Sequence, residues 1–142
     1  MYENSPLSIQ ASYIRGGTSK GVFFALDDLP SFAVEPGEAR DSLLLRVVGS
    51  PDPYGKHTDG MGGATSSTSK VVIISRSNRI DCDLNYLFGQ VAIDRPKIDW
   101  SGNCGNLSAA VAGFGISRGM LDPGKIPRNG FCEVRIWQEN IS

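Results

Sequence analysis

From Leu7 to Ile14 apolar and polar residues alternate, with Leu7, Ile9, Ala11 and Tyr13 on one side, which predicts a half-buried strand. The run Arg15-Gly16-Gly17-Thr18-Ser19-Lys20-Gly21 reads as a turn, and Gly21 to Leu26 as the strand returning from it. Pro36 and the acidic residues after it open a short helix reaching to about Val48, in which Leu44, Val47 and Val48 share a face and Gly49 closes the last turn. Ser50 to Ser69 is dense in Gly, Ser, Thr, Pro and Asp and predicts a long loop. The β-branched run Lys70 to Ser75 predicts a buried strand, and Cys82, Leu84, Tyr86 and Phe88 alternate along a second, which Val91 to Ile93 extends. Leu107, Ala110, Val111 and Phe114 then recur at helical spacing, with Asn103 near the start, Arg118 in the last turn and Gly119 as the stop. Ala109, Ala112 and Gly113 make the rest of that helix small and apolar, so it is expected among strands rather than on a wet surface. A last strand is expected over Cys132 to Trp137.

Composition narrows the class. At 142 residues the chain fits one domain. An apolar share of 40% against 20% charged residues is a globular balance. Fourteen basic residues nearly cancel fifteen acidic ones without a basic run, which argues against nucleic acid. No stretch is apolar for long enough to span a membrane, and the first residues show no secretory pattern. Cys82, Cys104 and Cys132 are odd in number and scattered, so a disulfide framework is not expected and a reducing, cytoplasmic setting is. One histidine, His57, and no C-x-x-C pair leave no ligand set for zinc.

Three segments carry candidate chemistry. Asp59 to Lys70 packs glycines, hydroxyls and backbone amides into a loop ending in a cation, which suits an anion; the same composition also reads as a surface linker. Cys104 stands where a strand region gives way to the apolar helix, a position that stabilises thiolate; its alternative is a small buried side chain. Arg15 to Gly21 offers a guanidinium suited to forked carboxylate contacts. It lacks the order of a nucleotide-binding P-loop, and no dinucleotide fingerprint occurs, which disfavours nucleotides. A cysteine hydrolase built on Cys104 and His57 is a minor alternative.

The runs Arg15 to Gly21, Asp59 to Lys70 and Ser101 to Ala110 resemble the PrpF family in content, order and spacing, and Tyr86-Leu87-Phe88-Gly89-Gln90-Val91 adds weaker support. The resemblance spans essentially the whole chain. It implies an α+β fold of the diaminopimelate epimerase type, a mixed β-sheet curled around a central α-helix, in proteins with two similar domains and the active site between them. It implies a cofactor-independent isomerase, without metal, that moves a proton on a small unsaturated polycarboxylate such as 2-methylaconitate. Residues 1–142 correspond to the amino-terminal domain, so a missing second domain or a second copy of the chain is the expected partner. Matched motif to motif, Lys70 and Cys104 are the implied proton-transfer groups, Lys70 as the base in its neutral amine form and Cys104 returning the proton. Arg15, Thr18, Ser19, Lys20, Ser66, Ser67 and Thr68, with Asn103, Gly105 and Asn106 at the helix start, are the implied carboxylate-binding residues. His57 is a departure, standing where a less titratable residue is expected.

Overall fold

A computed structural model of the chain describes residues 7–52, 54–55 and 60–141, so His57 lies outside the described residues. Strand β1 (Ser12–Gly16) pairs antiparallel with β2 (Ser19–Ala25), and the register Gly16 to Ser19 leaves only Gly17 and Thr18 as the turn. The hairpin therefore differs from the expected seven-residue turn. Arg15, Gly16, Ser19 and Lys20 are ladder residues, and the reversal is made at Gly17, whose φ of 55° costs a glycine little. The first strand also begins five residues later than the alternation predicts.

Helix α1 (Glu38–Val48) lies in the crossover between β2 and β3 (Lys70–Arg76), which pair in parallel. Strand β4 (Leu84–Val91) is antiparallel to β3 along its length. The far edge of β4 is shared: β5 (Ile98–Asp99) pairs antiparallel near one end and β6 (Ile136–Gln138) in parallel near the other. Strand β6 is shorter than the expected Cys132 to Trp137. Before Ile136 the backbone is engaged elsewhere: Arg135 N–H donates to Asp83 Oδ2 at 2.8 Å, and the amides of Asp83 and Leu84 donate to the Arg135 carbonyl.

Strand period two sorts the sheet residues onto two covered faces. Val22, Phe24, Val71 and Ile73 pack against Leu44, Leu45 and Val48 of α1. Phe23, Val72, Ile74, Tyr86 and Phe88 pack against Leu107, Val111 and Phe114 of α2 (Gly105–Ser117). Burial on both faces is why β2 and β3 read as continuous apolar runs rather than alternations. The α+β class and the mixed sheet against an apolar helix agree with the expectation. Within this chain the sheet covers one flank of α2 and leaves Ala109, Gly113 and Ile116 exposed. Gly115 permits the close approach, since a Cβ there would lie 2.6 Å from Leu84 Cδ1.

Cys82 and Cys132, which the alternation places in strands, are both part-exposed, whereas Cys104 is buried. The reason is register: β4 starts at Leu84 and β6 at Ile136, so both cysteines fall outside the paired strands. No helix among the described residues is long and apolar enough to cross a membrane, and no group of three potential metal-ligating side chains occurs among them.

Candidate active site

Two periodicities converge on one point. Lys70 and Ser19 are the first residues of the parallel neighbours β3 and β2, and parity puts both on the α2 face. Cys104 is the N-cap of α2 and arrives at the same strand ends. What lets it arrive is glycine: a Cβ at Gly16 would lie 2.3 Å from the Asn106 carbonyl oxygen, and one at Gly17 would lie 2.5 Å from Asn106 Oδ1. With those side chains absent, the first turn of α2 rests directly on the β1–β2 hairpin. Asn106 Nδ2 donates to Thr18 Oγ1 at 3.0 Å across the contact.

The result is a compact triangle. Lys70 Nζ donates to Ser19 Oγ at 2.9 Å and to Cys104 Sγ at 3.3 Å, and Cys104 Sγ lies 3.7 Å from Ser19 Oγ. Ser19 is 2% exposed and Cys104 6%, so water competes little for these bonds. Tyr86 on β4 donates from its hydroxyl to the Cys104 carbonyl at 2.9 Å, fixing the N-cap from the sheet side. The Phe88 ring, its centroid 5.6 Å from Lys70 Nζ, forms an apolar floor beneath the cation.

Burial of Cys104 opposes its ionisation, but the Leu107 amide, the Ser19 hydroxyl and the Lys70 cation together outweigh it, and the thiol is held below its ordinary pKa. Tyr86 moves the other way. Burial, and secondarily the charge of Cys104, push its pKa well above the usual phenol range, so it remains a hydrogen-bond donor across working pH.

The surrounding loops are tied to this centre mainly through backbone. Lys20 N–H donates to the Ser67 carbonyl at 2.8 Å, and Gln90 Nε2 donates to the carbonyls of Ser66 at 2.9 Å and Ser69 at 3.0 Å. Gln90 sits opposite Lys70 in the β3–β4 ladder, so this clamp fixes the loop just before the lysine. Ala64 in that loop has a φ of 61°, the left-handed region that non-glycine residues seldom occupy.

Of the residues singled out in the sequence, Lys70, Cys104, Ser19, Thr18 and Asn106 come together. Asn103 and Gly105 are exposed at the helix mouth, and Ser66 and Ser67 form the adjoining rim. Arg15 and Thr68 are occupied differently. Arg15 Nε donates to the Gly17 carbonyl at 3.0 Å, folding the guanidinium onto its own turn. Thr68 Oγ1 lies 2.6 Å from Thr65 Oγ1 and accepts from the Thr65 amide at 3.3 Å, inside the loop. Lys20 is exposed. Sequence reading assigned no role to Tyr86, Phe88 and Gln90. Their parity along β4, shared with Lys70 once the register is known, is the signal that finds them.

Residues 7–142 match the family described as PrpF protein. The chain belongs to the PrpF family. Its relatives include a 2-methyl-aconitate isomerase of Shewanella oneidensis, 67% identical over 95% of this chain and 34% of that protein. A 2-methyl-aconitate isomerase of Cupriavidus necator is 68% identical over the same shares. The crystal structure of a methylitaconate-delta-isomerase matches with a TM-score of 0.81 at 39% identity, over 93% of this chain and 32% of that one. The chain thus spans about a third of the length of the proteins it matches.

Proposed function

We propose that this chain is the domain of a cofactor-independent isomerase that carries the proton-transfer pair for a small unsaturated polycarboxylate of the 2-methylaconitate type. The observation that carries this reading is the part-buried contact of Lys70 Nζ with Cys104 Sγ at 3.3 Å, at a helix N-terminus where anions are favoured. Two relatives named for 2-methyl-aconitate, each about two-thirds identical, support the choice of substrate.

The chemistry follows from the charge arrangement. An allylic C–H beside a carboxylate is a weak acid whose conjugate base is a delocalised dienolate. Cys104 as thiolate, rather than Lys70 as a neutral amine, takes that proton, since the thiol is held below its ordinary pKa, and the helix N-terminus and the Lys70 ammonium stabilise the developing charge. The dienolate accepts a proton from Lys70 at the other end of the allylic system, or at the original carbon after rotation. One proton leaves and one returns, with no change of oxidation state, so side chains suffice. The amides of Gly105 and Asn106, the Thr18 and Asn106 side chains and the Ser66–Ser67 rim hold the carboxylates. Arg15 and Lys20 add positive charge at the mouth. A second domain or a second copy of this chain closes the cleft. Three cysteines without a disulfide support a cytoplasmic setting.

Incorporation of solvent deuterium into 2-methylaconitate, followed by NMR, tests the reading. Exchange that depends on both Lys70 and Cys104 supports it; exchange that survives their joint replacement overturns it. The exposure of Arg15, Lys20, Asn103 and Gly105 around the helix start favours one second reading, a unit that binds polycarboxylates without turning them over. It is distinguished by ligand binding with no exchange.

A further inference from the structure

Ser19 sits where a contact with substrate alone does not account for it. It is 2% exposed, and its hydroxyl faces both members of the proton-transfer pair rather than the exposed mouth formed by Asn103 and Gly105. We propose that Ser19 is a positioning residue that holds Lys70 and Cys104 as an ammonium–thiolate pair. The inference rests on the proton-transfer reading above and adds a role for a residue that the family resemblance implies in carboxylate binding.

The argument is one of donors and acceptors. An ammonium only donates, so Ser19 Oγ accepts from Lys70 Nζ at 2.9 Å. A hydroxyl has a single proton, and with its oxygen engaged by the lysine that proton is free for the sulfur 3.7 Å away, within range for a sulfur acceptor. Sulfur accepts well only as thiolate, so all three sides of the triangle are satisfied when Cys104 is ionised and Lys70 is charged. In the opposite arrangement, thiol and neutral amine, the Lys70–Cys104 bond reverses, a weak S–H donating to the amine in place of a charged N–H donating to the sulfur. The groups facing Cys104 from each packed element are few: Lys70 from β3, Ser19 from β2, Tyr86 from β4 and the Leu107 amide from α2 itself. Of these, only Lys70 carries positive charge and only Ser19 can bridge it to the sulfur. Lowering of the Cys104 pKa, to which the Ser19 hydroxyl contributes, is consistent with this division of labour.

The test is the pH dependence of Cys104 alkylation by iodoacetamide in a Cys82→Ala, Cys132→Ala background, since both replaced cysteines lie outside the triangle. The midpoint is the readout, because greater exposure of the sulfur relieves its desolvation and lowers the midpoint, whereas loss of the hydroxyl raises it. Ser19→Ala is expected to move the midpoint upward and to slow alkylation at pH 7 by about three- to tenfold. Ser19→Thr, which restores a hydroxyl, is expected to return the midpoint toward that of the parent. Should the alanine variant fail to fold, Ser19→Gly provides the same removal. An unchanged midpoint in the folded variant overturns the proposal. Alkylation needs no turnover, so a failed deuterium-exchange experiment and a failed Ser19 experiment are separate results.

Discussion

At the scale of single residues, the pair Lys70 and Cys104 carries the sharpest expectations. Cys104→Ser keeps a small polar side chain but replaces a stabilised thiolate by an alcohol that does not ionise near neutral pH. Lys70→Ala removes both the proposed proton donor and the cation next to the sulfur. Each is expected to lower deuterium exchange by about 100-fold or more while leaving the thermal midpoint within a few degrees of the parent. Retention of full exchange by either variant removes that residue from the mechanism. The pH dependence has a definite sign. Cys104 is held below its ordinary pKa, so its alkylation rises with pH and reaches its plateau at lower pH than a solvent-exposed cysteine does. Lys70→Ala raises that midpoint, because the cation is one of the causes of the shift. Both residues were legible in the sequence through motif and helix position. Their contact was not, because it depends on Lys70 beginning one strand and Cys104 capping a helix 34 positions away.

Elements explain why that contact holds. The helix–hairpin junction depends on Gly16 and Gly17, and Gly16→Ala places a methyl group 2.3 Å from the backbone carbonyl of Asn106, which cannot move without moving the helix. The expected cost is about 1–3 kcal/mol in chemical denaturation, with faster alkylation of Cys104 as the helix start loosens. Unchanged stability and reactivity count against the junction. Asp83 plays a comparable part at the other end of β4. Its carboxylate accepts from the Arg135 amide and pairs with Lys125, and these contacts, the amide first, hold its pKa below the ordinary value. A depressed carboxyl contributes stability above its unfolded pKa of about 3.9, and loses it as pH falls through the folded value. The thermal midpoint should therefore drop below pH ~4 in the parent and fall less steeply there in Asp83→Asn, which is already destabilised by about 1–2 kcal/mol at pH 7. Periodicity in the sequence located both helices and the strands β3 and β4 closely. It missed the two-residue turn, the brevity of β6 and all of β5, because ladder register and side-chain-to-backbone bonds such as Asp83 to Arg135 leave no periodic trace.

For the whole molecule, the binding groups and the chemistry can be separated by experiment. The anion-favouring features lie together around the start of α2: the helix N-terminus, the Thr18–Asn106 bridge, the Ser66–Ser67 rim and the exposed cations Arg15 and Lys20. Arg15, Lys20, Asn103 and Gly105 are all exposed, so water and salt compete for the contacts they offer. A tricarboxylate is therefore expected to bind the 142-residue chain weakly, on the order of millimolar, corresponding to about −4 kcal/mol. Exposed cations are screened by salt, so affinity should fall between low and physiological ionic strength. Asn106→Ala, which removes the bridge to Thr18 while sparing Lys70 and Cys104, should weaken binding further without shifting the Cys104 alkylation midpoint. Chemical-shift titration of the parent and the Asn106→Ala chain with 2-methylaconitate reads the affinity, its salt dependence and the effect of the bridge, and alkylation reads the midpoint. Perturbations centred on residues 18–20 and 103–107 that weaken with salt locate the carboxylates at the helix mouth. Perturbations centred elsewhere dismiss that cradle even if the Lys70–Cys104 pair proves reactive.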